Sequence, residues 1–316
     1  MEDTISWASL LTAILAGAVR RGTPIAFAAL GETLAERSGV INLGVEGLML
    51  IGAMTSIAVQ AGFENSVLAV LAAGLAAAFF AAIHAFLTVR LNSNQIVSGF
   101  ALTVFCLGLS GYLGGPLVGV KISGINVYGI PLLKDIPVLG QIFFEHDPLV
   151  YISVLLAFVL WFMMYRTRFG LYVRAVGEDP VAAYAHGVPV RRTRAIAVVL
   201  GGFLGGIGGA HLALAYTQLW APNMTAGQGW MAVGLVIVAG WHPLRALLVS
   251  WVFGAVAVLH LHMQAAGIQV PSYLVAMLPY LLSIIALTVM TCRYRKLGHG
   301  LPAALMKTFH VNGENG

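Results

Sequence analysis

The sequence predicts an all-α bundle of membrane-crossing helices, and three observations carry the prediction. Hydrophobic residues make up 59% of the 316 and charged residues 9%, against about 25% charged in ordinary soluble domains. The apolar runs reach the roughly 20 residues that a span needs, and together they take up most of the chain. Basic residues gather at the ends of those runs, so the net charge of +5 reads as membrane topology and not as a nucleic-acid footprint. Residues 1–316 are therefore read as one polytopic membrane domain of about eight to ten spans.

Taken in order, the start MEDTISW is acidic where a secretory leader would be basic, so no cleaved leader is expected. The first apolar region, 5–34, contains Arg20, Arg21, Gly22 and Pro24. A charge pair in mid-span is costly, which predicts a broken span or an interfacial N-terminal part. Further spans are read at 40–61, 67–89, 96–114, 149–165, 195–216, 229–240, 243–263 and 270–291. If the loop 166–194 lies inside, alternation puts Arg37, Arg90, Arg245 and the tail Arg293, Arg295 and Lys296 inside too, with a cytoplasmic C-terminus. The loop 115–147 then lies outside, where Lys121, Lys134, Asp135, Glu145 and Asp147 show no basic excess. Arg20 and Arg21 are the exception to this pattern. Cys106 and Cys292 lie in apolar runs without metal-ligand spacing, so neither a disulfide nor a metal site is expected.

One strongly polar stretch, Thr167 to Arg194, interrupts the apolar pattern. Within it Asp179 suits an N-cap, Pro180 suits the first helical position, Val181 to His186 can form a short helix, and Gly187 followed by Pro189 ends it. So short a helix cannot hold itself together in water and needs a partner surface. The stretch is either an ordinary basic inner loop or a docking helix for a cytoplasmic partner.

Polar groups also fall inside apolar surroundings. Asn42 and Glu46, four apart, would share a helix face, and Glu46 would lie about 9 Å into a helix starting at Val40. Its carboxylate is read either as an ion pair with Arg37 or another arginine that fixes helix packing, or as a path-lining or gating group. Asn92, Asn94, Gln95 and Ser98 cluster where a span begins, as caps do. His260 and His262, two apart, would point away from each other, so interfacial packing is expected rather than a metal pair; His84 and His211 lie elsewhere. Gly201, Gly205 and Gly209 recur every four residues, with Gly202 and Gly206 beside them, and close helix packing explains them better than transport. No phosphate-binding loop, zinc-protease motif or serine elbow occurs, so no enzyme activity is expected. Any ATPase must be another polypeptide.

The blocks GETLAERSGVINLGVEGLMLIGA (Gly31 to Ala53), NQIVSGFAL (Asn94 to Leu102), TRFGLYVRAVGEDPVAAYAHGVPV (Thr167 to Val190), PNMTAGQGWMAVGLVIVAGWHPL (Pro222 to Leu244) and PYLLSIIAL (Pro279 to Leu287) resemble the bacterial ABC-importer permeases of the branched-chain amino acid, ribose and nucleoside type. The ERSGVxNxGxEGxM form is most similar to the nucleoside and simple-sugar branch. The resemblance implies a type II importer arrangement in the bacterial inner membrane. It implies as partners a second permease copy or paralogue, a cytoplasmic ATPase that hydrolyses the ATP, and an extracytoplasmic binding protein of the basic-membrane-lipoprotein kind. No cofactor is expected on this chain. The coupling set is then Arg174, Gly177, Glu178, Asp179, Pro180 and Gly187. The substrate path is then set by Asn42, Glu46, Asn94, Gln95, Ser98, Thr103 and His242, the last two being positions where relatives tend to carry Asn. The cargo implied is a nucleoside, with a simple sugar such as ribose next. A proton-coupled carrier using Glu46 as its relay is the competing class.

Overall fold

The computed structural model describes residues 7–265, 277–278, 281–282, 284–286, 288–289, 292 and 302–309. The His260 and His262 side chains, the tail arginines and most of the expected span 270–291 lie outside the described residues. Ten helices run along the described chain: α1 (Trp7–Arg37), α2 (Val45–Phe63), α3 (Ser66–Ala85), α4 (Gln95–Gly114), α5 (Pro148–Arg166), α6 (Arg168–Glu178), α7 (Pro180–Ala185), α8 (Val190–His211), α9 (Gln228–Val238) and α10 (Pro243–Ala265). Six are long and apolar enough to span, counting short π-helical or 3-10 extensions, and Gln228–Val238 and Pro243–Leu259 are shorter apolar helices.

Helix α8 sits at the centre, packed against α1, α2 and α3. Its glycines make this possible, because a side chain on any of three faces would strike a neighbouring backbone. A Cβ at Gly201 would come within 2.8 Å of the Gly31 carbonyl on α1, and one at Gly206 within 2.5 Å of the Ala73 carbonyl on α3. A Cβ at Gly209 would collide with the Met49 carbonyl on α2. Helix–helix contact without intervening side chains is how small residues drive association in lipid. The outward faces of α3 and α5 carry exposed Leu71, Leu75 and Phe79, and Leu155, Phe158 and Phe162, as a lipid-facing surface requires.

The first apolar region is not broken. Helix α1 runs unbroken through Arg20, Arg21 and Pro24, which corrects the expectation of a split span. Arg37 marks one membrane edge, and Arg20 is 17 residues, or about 26 Å, along the helix from it. Arg20 therefore reaches the opposite edge of a hydrocarbon layer about 30 Å thick. There the chain of α8 continues as a π-helical turn, Leu212–Thr217, whose carbonyls lack ordinary helical partners. Arg20 Nη2 donates to the Ala215 carbonyl at 2.7 Å, the Ile125 N–H to Leu214 at 2.9 Å and the Thr217 hydroxyl to Leu212 at 2.8 Å. The Arg21 guanidinium lies 4.7 Å from the centre of the Tyr216 ring, a cation–π contact. The two arginines are anchors for this edge.

The loop between α4 and α5 lies at the same edge and folds over a two-residue antiparallel pair, β1 (Tyr128–Gly129) with β2 (Glu145–His146). Asp147 caps α5, accepting the Leu149 and Val150 N–H groups at 3.0 and 3.3 Å, while its other oxygen meets His211 Nε2 at 3.2 Å. Burial pushes the Asp147 carboxyl up, but the His211 hydrogen bond and charge and the two N–H groups outweigh it and hold it below the ordinary carboxylate value.

At the other edge, two ends are built alike. After α1, Gly39 takes φ +92°, its N–H bonds to Glu36 and the Val40 N–H to Ala35. After α7, Gly187 takes φ +80°, its N–H bonds to Tyr184 and the Val188 N–H to Ala183. Both are Schellman ends, in which only glycine takes the left-handed residue without strain.

Candidate functional site

The sequence places a helix from Val40, but the structure starts α2 at Val45. Residues 40–42 have no regular secondary structure, and 43–44 form a turn. Their depth follows from α8. Arg194 donates to the Ser38 carbonyl at 3.1 Å and so lies level with the end of α1. Val45 packs on Gly205, 11 residues or about 16 Å deeper. The chain thus climbs non-helically from the edge to about half depth before α2 begins. On the far side of the junction, residues 218–227 return from the opposite edge before α9 starts at Gln228.

Non-helical backbone at membrane depth must find partners within the protein. It does so through the polar residues that the sequence scatters. The Ile41 N–H donates to Gln95 Oε1 at 2.9 Å, and the Ile41 carbonyl faces His84 Nε2 at 3.2 Å. His84 is held in turn by Ser98 at 3.0 Å. The Gly44 N–H donates to Asn42 Oδ1 at 2.9 Å. Two donors share the Leu43 carbonyl, the Thr103 hydroxyl at 2.8 Å and the Trp230 indole at 3.2 Å. Helix α4 comes this close because Gly99 has no side chain; a Cβ there would sit 2.8 Å from the Leu43 nitrogen.

Glu46 stands in the first turn of α2, so it shares no helix face with Asn42 and is not 9 Å along a helix. Neither is it paired with Arg37, which lies 3.8 Å from Glu178. Its Oε1 accepts the Thr225 hydroxyl at 2.5 Å and the Gly227 N–H at 2.8 Å, and its Oε2 accepts the Gly229 N–H at 2.7 Å. The carboxylate is 2% exposed and sits at the N-terminus of α9, where the helix dipole favours negative charge. One side chain joins the two broken segments.

Asn42, Glu46, Gln95, Ser98 and Thr103 therefore meet around residues 41–46. Asn94 stands apart as the N-cap of α4, accepting the Ile96 and Val97 N–H groups at 3.0 and 3.1 Å. His242 is not at this junction. It precedes α10 and lies 5.5 Å from the Tyr165 ring, on whose other contact Arg174 sits 5.2 Å from the centroid. Burial, then the charge of Arg245, holds His242 below its ordinary value.

Between the end of α5 at Arg166 and the start of α8 at Val190 the chain folds as two helices, α6 and α7. Thr167 caps α6 through the Gly170 N–H at 3.2 Å, and Asp179 caps α7 through the Val181 and Ala182 N–H groups, both at 2.9 Å. Pro180 opens α7 and Gly187 ends it. Gly177 lies where a Cβ would collide with the Arg37 carbonyl, and Glu178 reaches Arg37 itself. The segment 302–309 straps this face. Its Ala304 N–H donates to Gly177 at 2.9 Å, its Met306 N–H to Gly39 at 3.2 Å, and Phe309 packs 5.7 Å from Tyr184. The α6–α7 hairpin is thus bonded to the end of α1 from which the irregular segment 40–44 departs.

Sequence reasoning missed Thr225, Trp230 and the role of His84. The available signal was the pair of glycines, Gly227 and Gly229, that bare the N–H groups at the start of an apolar run. Helix α6 was also missed, although Thr167 is a good cap.

Residues 13–287 match the family described as branched-chain amino acid transport system / permease component. The chain is 37% identical, over 96% of itself and 98% of the relative, to a candidate glucose ABC transporter permease of Haloferax volcanii. It is 36% identical to a nucleoside ABC transporter permease of Lactococcus lactis and 35% identical to a guanosine ABC transporter permease of Bacillus subtilis, each over 88% of this chain and 92% of the relative. No solved structure matches.

Proposed function

The chain belongs to the branched-chain amino acid transport system permease component family and is an ABC transporter permease, and from that premise we propose that it is the membrane subunit of an ATP-driven importer for nucleosides. The likeness to nucleoside and guanosine permeases over nearly their whole length carries the cargo. The candidate glucose permease keeps a simple sugar as the second cargo. Asn42, Gln95, Ser98 and Thr103 around the junction bring amide and hydroxyl groups, which suit an uncharged, hydrogen-bonding solute. Glu46 makes a poor proton relay, since both its oxygens are already committed to donors.

The α6–α7 face is the cytoplasmic one and receives the ATPase, which hydrolyses ATP on its own polypeptide. Helix α7 has six residues and leaves Val181 and Tyr184 45% and 48% exposed, an apolar surface that a short helix needs covered. When the ATPase closes, α7 moves α6, α6 moves the Arg37 end of α1 through Gly177 and Glu178, and the irregular segment 40–44 passes the motion to Glu46 and α9. The segment 302–309 lies on this same face, which supports a cytoplasmic C-terminal end. A second permease subunit and an extracytoplasmic binding protein complete the assembly in the bacterial inner membrane.

Uptake of labelled adenosine in cells with and without the gene, competed by unlabelled nucleosides, ribose and branched-chain amino acids, tests the reading. It is repeated with the proton gradient collapsed at maintained ATP. Gene-dependent uptake that nucleosides compete and the uncoupler spares is expected. Competition by ribose alone would replace the cargo, and loss with the uncoupler would replace the machine.

A further inference from the structure

Between α3 and α8, at the edge where α7 lies, the fold leaves a cleft of about 460 Å³. On one side α3 continues as a π-helical turn, Phe86–Arg90, and on the other α8 begins at Val190. The walls are small or apolar, with Ala82 and Val89 facing Ala195 and Val199 across the cleft, while Arg90, Arg191 and Arg192 stand at its end. Ala82 and Val199 each lie eight residues along their helix from the nearest of these arginines, or about 12 Å. The cleft therefore runs through most of one leaflet of a hydrocarbon layer about 30 Å thick.

The chain does not neutralise the three guanidiniums. Among the described residues none of them forms an ion pair with a carboxylate, and the Arg191 Nε is buried without a partner. Arg191 and Arg192 also stand in the first turn of α8, where the helix dipole disfavours cations and favours an anion. Next to the wall residues in sequence, Ile83, Ile196 and Leu200 are exposed, as a surface turned to hydrocarbon requires. An apolar slot within the layer thus ends in a cationic mouth at its edge. The same two arginines border the α7 face with Tyr184 and Phe309, which makes an acidic surface of the ATPase the competing partner. Such a surface would meet the arginines and leave the apolar walls uncovered.

We propose that the α3–α8 cleft is a binding site for an anionic phospholipid, its phosphate held by Arg90, Arg191 and Arg192 and an acyl chain laid along Ala82, Ala195 and Val199. Basic pockets between membrane helices at the cytoplasmic edge recognise such head groups. A negative head on a long apolar tail matches both ends of the cleft. Free phosphate matches the arginines alone, and a zwitterionic lipid brings its own cation towards them. The site requires the membrane embedding of α3 and α8 and is independent of the cargo.

The test is lipid retention by the full chain, purified and delipidated in detergent, then given dioleoylphosphatidylglycerol or dioleoylphosphatidylcholine and read by native mass spectrometry. Phosphatidylglycerol should be held in preference, and excess inorganic phosphate should not displace it. Arg90→Gln, Arg191→Gln and Arg192→Gln together should weaken it by about a hundredfold, about fivefold for each charge. The corresponding three lysine substitutions keep the charges and should keep most of the binding. Ala195→Leu narrows the cleft, leaves the charges in place and should weaken binding too. Wild-type retention in the glutamine variant or in Ala195→Leu would overturn the site, as would equal retention of phosphatidylcholine. Displacement by inorganic phosphate would make the ligand a free anion. Unchanged lipid retention with loss of co-purifying ATPase in the glutamine variant would give the arginines to the ATPase, and loss of permease pairing in step with lipid would make the cleft a subunit interface; each of these also overturns the lipid site.

Discussion

Glu46 and Asp147 make an informative pair. Each is a buried carboxylate, 2% and 0% exposed, that accepts two backbone N–H groups at the start of a helix and one side-chain partner. Asp147 caps its own helix, accepting from residues two and three further on. Glu46 accepts from residues 179, 181 and 183 positions away. The first is a local device at the membrane edge, where water could serve if it failed. The second holds two broken segments together at half depth, where nothing else could satisfy the same groups.

Removing each carboxylate should expose that difference. Glu46→Ala leaves the Thr225 hydroxyl and two backbone donors unpaired in a dry interior, and a loss of about 3 to 5 kcal/mol is expected. Thermal unfolding of the purified protein in detergent should show a large fall in midpoint or no monodisperse protein at all. Should Glu46→Ala melt no earlier than Asp147→Ala, the junction does not bear on stability as described.

Asp147→Asn keeps an oxygen for the cap and removes the charge facing His211, so a smaller loss is expected, about 1 to 2 kcal/mol near neutral pH. The sign with pH follows from the lowered Asp147 value. A carboxyl held below its unfolded value adds stability above that value, about 3.9, and loses it as pH falls through the lower, folded one. Acid melting curves of wild type and Asp147→Asn should therefore draw together below about pH 4. A gap that persists unchanged into stronger acid would assign the effect to packing.

Thr225→Val probes the Glu46 junction more gently, removing one donor of three for about 1 kcal/mol. In a cycle with Glu46→Gln the two losses should fail to add, because both act on one bonded cluster. Additive losses would mean that Thr225 and Glu46 contribute separately.

The same contrast explains what the sequence reveals. Asp179-Pro180 and Asp147-Pro148 are caps whose partners lie within three residues, so such helix starts can be read locally. Span positions and the glycine pattern of α8 are likewise periodic and local. Glu46 is visible as an out-of-place carboxylate, yet its partners are two glycine N–H groups and a threonine in a distant loop. Neither backbone donors nor long-range pairing leave a periodic mark. Reading the helix from Val40 was a natural error, since Val40 to Leu43 is apolar except for Asn42; the backbone groups of Ile41 and Leu43 are instead taken by Gln95, His84, Thr103 and Trp230, which only the fold brings together. Arg20 and Arg21 misled for a related reason. Their depth depends on where Arg37 lies, and a single unbroken α1 puts them at the far edge.

Asp179 completes the series as an exposed counterpart to both buried carboxylates. Its cap on α7 is worth about 1 kcal/mol, and the neighbouring Glu178–Arg37 pair, 3.8 Å apart with Glu178 half exposed, contributes about 0 to 1 kcal/mol. Glu178→Arg with Asp179→Arg should therefore cost about 1 to 2 kcal/mol, well short of the loss at Glu46. Co-purification of the ATPase should be lost nonetheless, because the substitution reverses two charges on the one surface proposed to receive it and frays the start of α7. Stability and partner binding separate here, whereas at Glu46 they cannot. Retention of the ATPase by the folded double variant would move the docking surface away from α7, and with it the starting point of the motion that ends at Glu46.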